Sequence, residues 1–172
     1  MNGAVLLIPL FLIRYGLLAL INITALPKAA YFPPMQKTEK VMFYVYQIST
    51  ILVIIYMFFL RITLTDVISK MGLGVYAFGV VSFAMATMSF AKPSAGGFKQ
   101  YGLYRLSRNP MYVAYFIYFI GCVFITRSIL LLIPVCCFQI TAHWIILAEE
   151  RWCVQTFGDE YTKYMNKVRR YI

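Results

Sequence analysis

Tyr101-Gly102-Leu103-Tyr104-Arg105-Leu106-Ser107-Arg108-Asn109-Pro110-Met111-Tyr112 is a basic, aromatic stretch set between two apolar runs. It reads as the start of a helix. Proline is favoured at the first helical position, and asparagine is a strong N-cap. Proline also pushes the residue before it out of the helical region, as an N-cap requires. A helix is therefore expected from Pro110, with free backbone N–H groups near Met111 and Tyr112. Such a terminus carries partial positive charge and suits an anion. Arg108 adds a full charge beside it. The plain alternative is a capped membrane helix with snorkelling basic residues.

Working outward, the composition is not that of a water-soluble domain. Hydrophobic residues make up 62% and charged residues 13% of the 172 residues, against roughly 45–50% and about 25% in ordinary globular proteins. A small soluble fold has too little interior to hide that much apolar surface. The bilayer is the expected solvent. Apolar runs at about Ala4–Leu26, Val41–Leu60, Met71–Ala91, Pro110–Thr126 and Ile129–Ala148 give five expected spans. The first run is expected to be retained, because Met1-Asn2-Gly3 has no basic n-region. Arg127-Ser128 is a tight break, so the last two spans are expected to form a helical hairpin, with Pro134 interrupting the second one early. The expected fold is one all-α membrane domain. Residues 1–91 form a three-helix scaffold, and residues 92–172 carry the loop, the hairpin and a partly helical tail.

Pro27 is expected to end the first helix, and Tyr44, Tyr46 and Tyr56 to act as interface anchors. Gly72, Gly74 and Gly79, with Ala84 and Ala86, offer small surfaces for close helix approach. Pro93, Ser94, Gly96 and Gly97 open the longest polar connection as a loop. The loops Lys28–Lys40 and Lys92–Arg108 and the tail hold twelve of the sixteen lysines and arginines. That bias predicts an N-terminus outside and a cytoplasmic C-terminus. It also puts Tyr101–Tyr112 and the polar run from Glu149 on one side. The net charge of +10 then reads as basic loops facing anionic lipid, with no nucleic-acid partner. The four cysteines, Cys122, Cys136, Cys137 and Cys153, lack zinc-ligand spacing, and no metal is expected.

Three further features carry chemistry. Arg14 sits near the middle of the first span, where an arginine costs roughly 2.5–3.5 kcal/mol and must face protein or water. It is either a structural partner within the bundle or a contact for a polar substrate head. Glu149-Glu150 end the fifth span, and helical rotation keeps the two from facing one point. His143, the only histidine, lies on nearly the same face as Glu150, which makes Glu150 the more inward acid. His143 is either a satisfied buried ring or a proton acceptor. Without a serine–acid partner, it gives hydrolase chemistry no support.

Gly102-Leu103-Tyr104-x3-Arg108-Asn109-Pro110-Met111-Tyr112, followed by Glu149-Glu150-x6-Phe157-Gly158-x2-Tyr161-x2-Tyr164, resembles the isoprenylcysteine carboxyl methyltransferase family. Asn109 stands where that family has histidine, and N-P-M-Y is similar to the related phosphatidylethanolamine N-methyltransferases. The tail has Val168-Arg169-Arg170 where V-P-R is usual. The resemblance implies a membrane methyltransferase that uses S-adenosylmethionine and releases S-adenosylhomocysteine. It implies a cofactor site on Gly102, Leu103, Tyr104, Arg108, Asn109, Pro110, Met111, Tyr112, Glu149 and Glu150. Arg108 and the helix start would take the cofactor carboxylate, and Glu150 or Glu149 its ammonium. Tyr161 and Tyr164 would pack the tail as a lid. Arg14 and His143 are the candidates for the catalytic, acceptor-facing role. The acceptor would be a lipid or another hydrophobic molecule, either the carboxylate of a prenylcysteine-like substrate or the amine of a phospholipid. The membrane would be the plasma membrane in a prokaryote or the endoplasmic reticulum in a eukaryote. Two other readings stay open: a non-catalytic membrane scaffold, and a nicotinamide-dependent reductase similar to the sterol reductases.

Overall fold

The computed structural model describes residues 1–92 and 97–172. The loop expected at Pro93, Ser94 and Gly96 lies outside them. Five helices dominate: α1 (Gly3–Asn22), α2 (Lys37–Met57), α3 (Val67–Ala91), α4 (Pro110–Thr126) and α5 (Ile129–Lys167). No strand occurs among the described residues, so the protein is an all-α membrane bundle. Four of the five helices are long and apolar enough to cross a bilayer, and α4 is the shorter one at 17 residues. At 1.5 Å per residue α4 reaches about 25 Å, short of a hydrocarbon core of about 30 Å. Its first residue, Pro110, is buried within the protein rather than at a free surface.

Local chemistry sets the helix ends. α2 starts four residues ahead of its apolar run because Gln36 and Glu39 form a reciprocal capping box. The Gln36 amide donates to Glu39 Oε2 at 2.7 Å. α3 starts early because Asp66 caps it, accepting from the Ser69 amide at 3.2 Å. α1 ends earlier than Pro27. The Asn22 side chain folds back to accept from the Thr24 amide and hydroxyl at 3.1 and 2.7 Å. Pro27 then lies inside a short helix, Ala25–Ala29, where a first-turn proline costs no hydrogen bond. α5 runs past Ala148 to Lys167, with its one non-helical residue at Gly158, φ 54°. Nothing between Ala148 and Gly158 breaks a helix, and Pro134 sits in the helix without ending it. The span thus runs on past Ala148 to Phe157, and the kink at Gly158 sets off the last helical stretch of the tail.

The bundle has a tight end and an open end. At the tight end Gly3 donates to the Leu60 carbonyl at 2.8 Å, and Ile62 donates to the Met1 carbonyl at 2.9 Å. α3 and α4 meet backbone to backbone: a Cβ on Gly79 would stand 2.6 Å from Tyr118 Cα, and one on Gly121 would stand 2.5 Å from Tyr76 Cα. Gly72 faces Phe124 in the same way, whereas Gly74 meets nothing. Tyr76 Oη donates to the Leu6 carbonyl at 2.8 Å, and Tyr118 Oη donates to the same oxygen. Toward the other end α1 leaves α2: its first turn touches α2, and its second half leans on α3. Asn22 Nδ2 donates to the Ala91 carbonyl at 3.0 Å and fixes that lean.

Candidate active site

Where α1 and α2 part, the bundle encloses a cavity of about 800 Å³. One wall is the start of α4. Gly102–Arg105 is a single 3-10 turn that presents the buried Tyr104. The chain then reaches Asn109, outside the helical region at φ −129° and ψ 53°, and enters α4 at Pro110. Asn109 holds the N-cap position, but its side chain makes no cap hydrogen bond. Its Nδ2 instead donates to the Arg170 carbonyl at 3.1 Å. The amides at the start of α4 therefore have no side-chain acceptor, and Met111 and Tyr112 line the cavity.

The opposite wall is α5. Its two acids take different surroundings, as a rotation of about 100° per residue requires. Glu149 lines the cavity and accepts from Tyr112 Oη at 3.0 Å. Glu150 is buried between two arginines. Arg108 Nε stands 3.0 Å from Glu150 Oε1 in ion-pair contact. Arg170 holds Oε2 with Nε at 3.0 Å and Nη2 at 2.8 Å. Arg108 also donates to the Met165 carbonyl at 3.0 Å. Arg108 thus already faces one carboxylate within the protein. The more buried acid is Glu150, and Glu149 is the one of the two without an ion pair among the described residues.

Arg14 sits in the π-helical stretch Leu12–Leu17 of α1, a widened turn of the kind often found at functional sites. It lines the cavity, and its Nη2 donates to the Ala29 carbonyl at 2.6 Å. It lies within electrostatic reach of Glu149. Of the residues singled out in the sequence, Arg14, Tyr104, Arg108, Asn109, Met111, Tyr112, Glu149 and Glu150 line the cavity. Gly102, Leu103, Pro110 and His143 do not. Gly102 and Leu103 pack the 3-10 turn on Ser89, and Pro110 starts the helix. His143 Nδ1 is 2.7 Å from Tyr171 Oη, on the face of α5 that the C-terminal residues cover.

The tail closes the polar end. Tyr164 Oη donates to the Tyr104 carbonyl at 2.6 Å, and Phe98 packs on Tyr161 and Tyr164. Tyr161 and Tyr164 therefore do cover the cavity. Sequence reading missed the deep aromatic wall. Tyr46, read as an interface anchor, turns inward and stacks on Phe138 at 4.9 Å, whereas Tyr44 is exposed as expected. Tyr115 and Phe119 complete that wall. The signal was the spacing Tyr112, Tyr115, Phe119 on one face of α4.

The cavity lining reaches exposed residues in two places. At the polar end it includes the exposed Lys28 and Tyr31. Between α1 and α2 its lining includes the exposed Phe11, Tyr15 and Gln47, on the surface that lipid would cover.

A family model described as phospholipid methyltransferase matches residues 45–160, more than half of the chain. No curated protein matches the chain.

Proposed function

The chain belongs to the phospholipid methyltransferase family and is by that membership a membrane methyltransferase; from that premise we propose that its cavity receives S-adenosylmethionine at the polar end and a phospholipid amine from the bilayer side. The observation that carries this reading is one cavity whose lining reaches exposed residues both at the polar end and between α1 and α2, and which holds an acid without an ion pair, Glu149, and a cation, Arg14. A prenylcysteine-like acceptor would bring a carboxylate toward Glu149. A phospholipid amine brings an ammonium for Glu149 and a phosphate for Arg14.

The residues fit the cofactor class. The volume lies within the roughly 300–1,000 Å³ range of small-molecule sites. The amides that begin α4 suit a carboxylate, and Tyr104 and Tyr112 supply flat apolar surface for an adenosine. S-adenosylmethionine, when bound, supplies a methyl group on a positively charged sulfur. The protein's own part is alignment and exclusion of water. Glu149, held by the Tyr112 hydroxyl, attracts the acceptor ammonium and takes its proton, so that the nitrogen lone pair is free to attack. Arg14 fixes the phosphate and so the distance of the headgroup from Glu149. His143, engaged with Tyr171 away from the cavity, stays outside this proton path. In the membrane, the polar end faces the cytoplasm, following the lysine and arginine bias.

The test is methyl transfer by the purified protein from labelled S-adenosylmethionine, with phosphatidylethanolamine, phosphatidic acid and an acetylated farnesylcysteine as separate acceptors. Label in phosphatidylethanolamine alone is expected. Label in the farnesylcysteine alone would overturn the amine assignment. S-adenosylhomocysteine, and not NADPH, is expected to raise the melting temperature; the reverse result would favour a reductase.

A further inference from the structure

The last five residues fold back as a strap across α5 and the loop before α4. The Arg108 amide donates to the Arg169 carbonyl at 2.9 Å. The Arg170 carbonyl accepts from Asn109 Nδ2 at 3.1 Å and from Ser107 Oγ at 3.4 Å. The Arg170 guanidinium meanwhile reaches Glu150 with two nitrogens. Tyr171 adds its contact with His143 one strap residue on. Arg170 is thus the one residue of the strap whose backbone holds the α4 loop and whose side chain holds α5.

The charges make this more than a fastening. Arg108 and Glu150 are both buried, with side chains 8% and 6% exposed. Together they are neutral. Arg170, at 32% side-chain exposure, adds a second cation to the same carboxylate. The cluster Arg108–Glu150–Arg170 by itself therefore carries one net positive charge beside the start of α4; Arg170 stands behind the cavity lining, and Glu149, held by Tyr112, is not part of the cluster. Buried charge of one sign has to be met by a counter-charge. Without Arg170 the pair would be neutral, and Glu150 Oε2 would lose the two nitrogens that hold it.

We propose that Arg170 is a positioning residue that seats the C-terminal strap and turns the neutral Arg108–Glu150 pair into a cluster of net positive charge that receives the cofactor's carboxylate. This rests on the reading of the cavity as an S-adenosylmethionine site. Arg170 acts through Glu150 and Asn109. Its effect is on the carboxylate of the ligand and not on the adenosine.

The experiment is calorimetry on the purified full chain with two ligands: S-adenosylhomocysteine, which has the amino-acid carboxylate, and 5′-methylthioadenosine, which lacks the whole amino-acid end. In the wild type S-adenosylhomocysteine is expected to bind more tightly. Arg170→Gln is expected to weaken it by about tenfold or more, the size of a lost charge-assisted contact, and to leave methylthioadenosine within about twofold. Arg170→Lys keeps the charge and is expected to preserve the preference for S-adenosylhomocysteine. Equal weakening of both ligands in Arg170→Gln would reduce Arg170 to a structural fastening and overturn the proposal. So would unchanged binding of both. If Arg170→Gln fails to fold, loss of the preference in folded Arg170→Lys overturns it. A wild type that binds methylthioadenosine but shows no preference for S-adenosylhomocysteine refutes the charge role alone. One that binds neither refutes the cofactor reading as well.

Discussion

Near Gly3 and Arg127 the helices touch backbone to backbone, whereas at the other end the same helices hold about 800 Å³ of space between them. The first region is built from small residues, with Gly79 and Gly121 set against Tyr118 and Tyr76. The second is built from aromatic and charged ones. Lipid tails are as apolar as the helix surfaces, so burial alone does not hold membrane helices together; close packing and hydrogen bonds do. The tight end supplies both and lets α1 and α2 part without loss of the fold. The open end then binds its polar groups to each other: Glu150 to two arginines, Tyr112 to Glu149, Arg151 to Glu39 at 2.6 Å. The division teaches that the site's rigidity comes from one half of the bundle and its chemistry from the other.

The largest effect is expected from breaking the tight end. Gly79→Leu forces a side chain into the backbone of α4, and overpacking of this kind costs about 3 kcal/mol or more. Yield of monodisperse protein and the melting temperature in detergent are expected to fall sharply, with transfer activity lost in proportion. Next come the two acids, which separate fold from chemistry at the open end. Glu150→Gln leaves Arg108 and Arg170 without their counter-charge and is expected to destabilise by about 3 kcal/mol. Glu149→Gln is expected to keep the melting temperature within a few degrees and to lower kcat by about a hundredfold or more. Equal activity of Glu149→Gln and wild type would remove Glu149 from the proton path. A smaller change is expected for Arg14→Gln: about a tenfold rise in KM for the phospholipid, with S-adenosylhomocysteine binding unchanged. Were cofactor binding to weaken instead, Arg14 would belong to the polar half of the site.

The smallest effect returns to the tight end. Hydrogen bonding from Ser69, together with Arg127 at 3.3 Å, holds the Asp66 carboxyl below the usual carboxylate range. A depressed native value means that its contribution is complete above the unfolded value of about 3.9 and is lost as pH falls through the native one. Wild type is therefore expected to lose a little melting temperature below about pH 4 relative to Asp66→Asn. A difference that persists unchanged from pH 7 to pH 3 would show that the cap acts without its charge.

Much of this was legible in the chain. The runs of apolar residues mark the helices because each must satisfy its own backbone in lipid. Asn109-Pro110 marks the start of α4 to the residue, because proline allows that step and few others. The two motifs around Arg108 and Glu149-Glu150 do meet at one cavity. Helix ends were less legible where side chains decided them, as at Asn22, Gln36 and Asp66. Periodicity sees faces and not caps. The inward turn of Tyr46 was hidden for a related reason: a tyrosine near a helix end looks the same whether its ring meets lipid or Phe138.

The sequence by itself determined the solvent, the helices and the family chemistry, since composition, span length and motif spacing are properties of the chain taken in order. Only the tertiary structure decided which acid is free. Glu149 and Glu150 are neighbours in sequence and equal in type, yet α5 turns one toward Tyr112 and the cavity and the other toward Arg108 and Arg170. Arg170 lies twenty residues beyond Glu150, and no local rule brings it back. The strap does so because the helix breaks at Gly158, φ 54°, and the residues beyond it return along the span. A charge's role is set by what surrounds it, and its surroundings exist only once the chain has folded.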